Sequence, residues 1–261
     1  MGRFLILVDK ISDLLLKNNR LLVHRHDLEL LLGTNFLMLS KIVQMSKNNS
    51  SSLLRSVSVG SWDTLELIDF FAVSWKKTIE LQSHSSLTYL VVASHPDVDI
   101  QFITKGSQCS CKIFGLFSSD ANHSVAGTLK VSLDHSQTSA DIQLISFLYD
   151  GSKVSIDGSI DIWMHLDQVH GRLLEQNIVL GKNISLKTLP KLNVASYNVT
   201  AAHGANIDTL DQQKLFYMMS RGLTQQQSQT LLVDWYIDYV LGHFTHISDK
   251  DRQAVVDLCK H

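Results

Sequence analysis

Apolar and polar residues alternate in short runs over most of this chain, and the pattern changes to helical spacing near residue 208. Before that point the alternation predicts strands at 65–69, 78–82, 87–92, 98–103, 111–117, 128–133, 141–148, 154–163 and 177–180. Each is bounded by Gly, Asn, Asp or Ser, and they start roughly every 10–13 residues, as stacked short strands do. Asp150-Gly151-Ser152 and Asp157-Gly158-Ser159 read as turn-like interruptions. This spacing suits a sandwich, a barrel or a solenoid, and periodicity does not choose among them. Few two-residue hairpin turns such as Asn-Gly occur, which tilts the reading away from simple hairpins.

Beyond residue 208 the signals are helical. Thr209-x-x-Gln212 and Thr224-x-x-Gln227 both have the form of a capping box, in which a hydroxyl and an amide satisfy the free N–H groups of a first turn. Gly222 and Gly242 are placed to end the two helices, and Ser248 to cap a third running to about Leu258. Leu231, Leu232, Trp235, Tyr236, Tyr239 and Val240 form one wide apolar stripe, expected to dock on the protein's own sheet. At the other end, residues 4–8 suggest a strand, 11–16 a turn or two of helix, and 45–53 a flexible loop.

Composition narrows the class. With 44% hydrophobic residues the 261-residue chain can bury a sizeable core, and two prolines suit extended sheet. A net charge of -2 provides no electrostatic footprint for nucleic acid or an anionic membrane surface. No apolar run approaches the roughly 20 residues of a membrane helix. Three cysteines, Cys109, Cys111 and Cys259, do not make a disulfide framework, so a reducing cytoplasm is expected.

Candidate chemistry is sparse. The chain has no Gly-x-Ser-x-Gly elbow, no phosphate-cradling Gly-x-x-x-x-Gly-Lys and no His-Glu-x-x-His. Cys109 and Cys111 would share a strand face and could clamp one ion, but without a second pair they read as core cysteines. His24 with His26, His165 with His170, and His243 with His246 are close in sequence, yet no carboxylate or cysteine clusters with them. Asp141 and Asp157 are the possible members of a carboxylate pair, were the chain a β-helical polysaccharide-acting enzyme.

One segment is more specific. His203-Gly204-Ala205, then Leu215-Phe216-Tyr217, then Ser220-Arg221-Gly222 closely resembles the SufB/SufD family, in which a final strand carrying the histidine leads into a short helix ending in Ser-Arg-Gly. His-Gly-Ala resembles the SufD branch. Leu189-Pro190-x-Leu192-x-Val194 resembles a family strand upstream, and the likeness extends more weakly over residues 55–245.

The resemblance implies a mainly β fold, a right-handed parallel β-helix over 54–207, with a short α-helical subdomain over 208–261 that docks a SufC-type ABC ATPase. Residues 1–53 would be a shortened N-terminal segment. The implied role is a non-catalytic scaffold that pairs with a SufB-type subunit through the last coils. No cofactor is expected to bind stably; a transient iron–sulfur cluster would be shared with SufB, with His203 as candidate assembly residue. His203, Gly204, Ala205, Leu215, Phe216, Tyr217, Ser220, Arg221 and Gly222 are the implied partner-binding residues. Two positions depart from the pattern: Ala201 stands where family members often carry a cysteine, and Asn193 where a glutamate is usual. Self-association into a homodimer through the same edge strands is the remaining alternative.

Overall fold

The computed structural model describes residues 21–23, 41–44, 56–71, 75–94, 97–209, 212–245 and 247–260. In chain order the described strands are β1 (Leu21–Val23), β2 (Lys41–Gln44), β3 (Ser56–Val59), β4 (Thr64–Phe71), β5 (Trp75–Leu81), β6 (Ser86–Ala93), β7 (Val98–Thr104), β8 (Ser110–Ser119), β9 (Val125–Leu133), β10 (Ser139–Leu148), β11 (Lys153–Ile162), β12 (Asp167–Val179), β13 (Ser185–Thr188), β14 (Lys191–Val194) and β15 (Asn198–Thr209). Odd-numbered strands from β1 to β13 line up in one sheet, with β14 also pairing β11; even-numbered strands from β2 to β12 and β15 form the second. Every pairing is parallel. Up to β13 the chain alternates between the sheets, so two strands make one coil of a parallel β-helix, and the strand-start spacing in the sequence is half a coil. From β3 onward the coil lengthens, from 22 residues where Ser56 lies against Thr78 to 32 where Ser159 lies against Lys191.

Alternation sets the lumen. In β7, Val98, Ile100, Phe102 and Thr104 point inward and are buried. The second sheet is buried on both faces for half its width, so its strands read as continuous apolar runs. In β10, Ile142 and Leu144 belong to the lumen core while Ile145 and Phe147 belong to a second cluster outside. That second cluster is where the helices dock: α1 (Gln212–Ser220), α2 (Gln225–Leu241) and α3 (Asp249–Cys259). Val233, Tyr236, Ile237, Val240 and Leu241 of α2 cover Leu90, Phe114, Ile145 and Phe147. Full burial of a side chain such as Phe147 is worth roughly 1.5–3 kcal/mol.

Several expectations change. The stripe turned to the sheet is centred on Val233, Ile237 and Val240, whereas Leu231, Trp235 and Tyr239 are exposed. Tyr236 and Val240 of the expected stripe do face the sheet. The Thr224 capping box forms: Gln227 N–H donates to Thr224 Oγ1 at 3.1 Å and Thr224 N–H to Gln227 Oε1 at 2.8 Å. Thr209 is the last residue of β15, paired with Val179, and α1 is described from Gln212. Ser248 caps α3 as expected. Gly222 takes a left-handed φ of 93°, while Gly242 ends α2 in right-handed conformation. Gly151 turns at φ 74°, but Asp157-Gly158-Ser159 continues β11 without interruption. Strand 177–180 is the tail of β12, which begins at Asp167. The expectations for residues 4–8, 11–16 and 45–53, and for His24, His26 and His246, lie outside the described residues.

The corners entering the second sheet are stacked in a conformation the sequence does not advertise. Trp62, His84, Gln108 and Gln137, each two residues before β4, β6, β8 and β10, all adopt positive φ, as does Gln168 at the start of β12. Such a backbone is costly for residues other than glycine. Here the side chains offset it by stacking from coil to coil: Trp62 lies on His84 with ring centroids 3.7 Å apart, and Gln108 Nε2 donates to Gln137 Oε1 at 2.9 Å.

Candidate functional site at the open end of the β-helix

Among the described residues β15 is the last strand of its sheet and pairs only with β12. His203 lies opposite Leu173, which is buried in the lumen core, and Val199 and Ala201 pack against that core from the same face of β15. Side chains on one face repeat every second residue, so His203 belongs to the lumen side. It is exposed because no further described coil covers it. Its Nδ1 is 3.0 Å from the carbonyl of Pro190. A carbonyl only accepts, so Nδ1 is the nitrogen that donates, and a neutral ring would have its acceptor at Nε2.

The opposite rim is interrupted. β13 ends at Thr188 and β14 begins at Lys191, leaving Leu189 and Pro190 off the ladder. Leu189 N–H still reaches Ile156 O at 3.3 Å, but Gly158 N–H donates to the carboxylate of Glu175, Oε1, at 3.0 Å. Thr188 donates its hydroxyl to Glu175 Oε2. Glu175 comes from β12 and crosses the lumen; a Cβ on Gly158 would stand 2.6 Å from Glu175 Oε1, so only glycine admits it. The Glu175 side chain is 1% exposed. Burial pushes its carboxyl above the usual range, the bonds from Thr188 and Gly158 pull it back, the charge of Asp157 raises it again, and His203 opposes that.

The remaining residues singled out in the sequence sit elsewhere. Gly204 and Ala205 follow His203 on β15, and a Cβ on Gly204 would meet only Leu174 Cδ1, at 3.9 Å. Leu215 is half-buried on α1, whereas Phe216 and Tyr217 are 75% and 60% exposed. Ser220 donates its hydroxyl to Tyr217 O at 2.7 Å, and the Arg221 guanidinium lies 5.4 Å from the Tyr217 ring. Gly222 N–H closes the helix on Met219 O at 2.9 Å. Exposed Trp235 and Tyr239 stack on α2, against which α1 packs. The helices therefore present aromatic surface that the described residues leave uncovered.

Other candidates dissolve. Cys109 and Cys111 are buried, and burial pushes the Cys111 thiol up to about 12, a core cysteine rather than a ready thiolate. Asp141 pairs with Arg172 at 3.5 Å in one sheet and Asp157 with Lys191 at 2.7 Å in the other, so they do not form a carboxylate pair. His243 sits past α2 with Nδ1 2.9 Å from Tyr239 O. Among the described residues no group of three or more His, Cys, Asp or Glu could hold a metal ion. Glu175, Thr188 and Gly158 had not been expected at the site; the one sequence signal is a carboxylate at an inward position of an alternating strand.

A two-sheet parallel β-helix carrying helices on one outer face, with a histidine at its open end, defines the class of protein. Residues 76–235 match the family described as SUF system FeS cluster assembly, SufBD core domain, and the chain belongs to that family. It is similar to the iron–sulfur cluster assembly protein SufD of Escherichia coli, 29% identical over 84 residues, which cover 32% of this chain and 20% of that protein. It is also similar to an iron–sulfur cluster assembly SufBD family protein of Synechocystis, 35% identical over 87 residues, or 33% and 19% of the two chains. A third relative, the chloroplastic protein ABCI7 of Arabidopsis thaliana, is 24% identical over 132 residues, 49% and 28% of the two. The matches thus span about a fifth of the length of the first two relatives. No helix among the described residues is long and apolar enough to cross a membrane.

Proposed function

We propose that this chain is a SufD-like, non-catalytic scaffold subunit for iron–sulfur cluster assembly in the cytoplasm. It pairs with a SufB-type subunit through the uncovered end formed by β14 and β15, and it holds a SufC-type ABC ATPase on the exposed side of α1 and α2. The observation that carries the reading is His203: an exposed imidazole on the lumen face of the last strand, its Nδ1 bonded to Pro190 O. A neutral imidazole nitrogen is a good ligand for iron, and sulfur ligands would have to come from the partner, since Ala201 supplies none. The cluster is cargo, held in transit between subunits. Phe216, Tyr217 and Trp235 are the kind of exposed aromatic anchors that dominate binding interfaces.

Co-expression with SufB-type and SufC-type subunits, followed by size-exclusion chromatography with light scattering, is expected to yield one ternary complex. Separate elution of this chain, or a homodimer that excludes the others, would overturn the assignment. His203→Ala is expected to leave that complex intact and to lower its iron–sulfur content, read from visible absorbance and iron analysis; unchanged content would reduce His203 to an interface hydrogen-bonding residue.

A further inference from the structure

The gap between β13 and β14 has a consequence for His203. In an uninterrupted parallel ladder, Leu189 would bond through its N–H to Ile156 O and through its carbonyl to Gly158 N–H. The first bond is present and the second is not, because Glu175 occupies Gly158 N–H. Glu175 also accepts the Thr188 hydroxyl, at the residue where β13 ends. Pro190 follows, and the register turns it away from β11, so its carbonyl is directed to the open edge and meets His203 Nδ1.

We propose that this break is a positioning device: Glu175 holds the ladder open at Leu189, and the Pro190 carbonyl thereby fixes His203 as the Nδ1–H tautomer with Nε2 directed to whatever approaches the open end. Glu175 and Pro190 are positioning residues, acting through His203 rather than on the cargo. Ligating histidines commonly donate their other ring N–H to a backbone carbonyl or carboxylate, and loss of such a partner costs about 10–100-fold in metal affinity. The device is assembled from four stretches of chain, and Gly158 is the residue that leaves Glu175 room to reach across. The inference deepens the assembly role proposed for His203 and rests on it only for its effect on cargo.

The test is the imidazole nitrogen spectrum of the full chain labelled with [15N]histidine, with His203 assigned by its loss in His203→Gln. The wild-type protein is expected to show His203 as a single Nδ1–H tautomer at neutral pH; an Nε2–H form or a rapidly averaged mixture overturns the proposal, whatever the variants do. Glu175→Ala frees Gly158 N–H to return to Leu189 O, and Pro190→Ala releases the fixed φ that aims the carbonyl at His203. Both are expected to abolish the tautomer preference and to lower cluster content of the co-purified complex about tenfold. Glu175→Gln, whose carbonyl and amide reproduce the two hydrogen bonds, is expected to keep both; a mixed tautomer in Glu175→Gln overturns the proposal. If His203→Ala leaves cluster content unchanged, the assembly reading fails while the tautomer result stands.

Discussion

The lumen of this β-helix buries a carboxylate near each end of its described core, and the two are satisfied in opposite ways. In the early coils Asp69 of β4 accepts hydrogen bonds from Lys77 of β5 and, at 2.7 Å, from the Tyr89 hydroxyl of β6. Lys77 is 3% exposed and Tyr89 fully buried, its hydroxyl pushed well above the ordinary value first by burial and then by the charge of Asp69. That site is closed and charge-neutral. In the last coils Glu175 is as deeply buried but is held by neutral donors, a backbone N–H and a hydroxyl, and faces the end where His203 sits. The difference shows a division of labour in one interior. A carboxylate paired with a cation lies where the lumen is closed, and one held by neutral donors lies beside the interrupted rim.

The largest expected effect lies at the closed end. Lys77→Met removes the cation and leaves Asp69 buried beside Tyr89; removing one partner of a buried ion pair costs about 3–5 kcal/mol. Urea denaturation monitored by circular dichroism measures it. Adding Asp69→Asn to Lys77→Met should recover most of that loss, because the uncompensated charge goes with it. A double variant no more stable than Lys77→Met would mean that packing rather than charge dominates this site, and the contrast between the two ends would weaken.

At the open end the next effect is steric. Gly158→Ala places a methyl 2.6 Å from Glu175 Oε1, 3.0 Å from Leu173 Cδ1 and 3.2 Å from Leu144 Cδ1. Overpacking of this kind costs about 1–3 kcal/mol. The control is Gly204→Ala on the exposed strand, where the nearest neighbour is 3.9 Å away, so little change in stability is expected. Equal losses from the two substitutions would show that Gly158 marks intolerance of alanine in strands generally and not the passage of Glu175.

These sites also mark what sequence patterns reveal. Alternation locates most of the β-helix strands, because one face of each strand lines a dry lumen and must be apolar. The pattern misleads at Gly158, where Asp-Gly-Ser has turn composition but the glycine serves a side chain arriving from β12. His203 stands out through its resemblance to a family motif. Glu175 and Thr188 do not, since the coil geometry that joins them to Gly158 is visible only once the register is known. Nor do the stacked Gln108 and Gln137 corners carry the glycine or asparagine that usually flags positive φ.

The smallest expected effect sharpens the comparison most directly, because it isolates charge. Glu175→Gln keeps an acceptor for Gly158 N–H and a donor for Thr188 Oγ1, so near the ordinary glutamate pKa and below it the variant should be about as stable as the wild type. Burial raises the folded-state pKa of Glu175 above its unfolded value, so between those values the native chain binds more protons than the unfolded chain. Stability changes with pH in proportion to protons bound unfolded minus protons bound folded, which is negative here. Wild-type stability relative to Glu175→Gln should therefore fall as pH rises through that window and then level off. Paired urea titrations of the two proteins across this range measure the difference, in which the other carboxylates cancel. A wild-type advantage that grows with pH would mean that Glu175 is stabilised as a carboxylate, as an ion-paired acid is, and the open end would resemble the closed one after all.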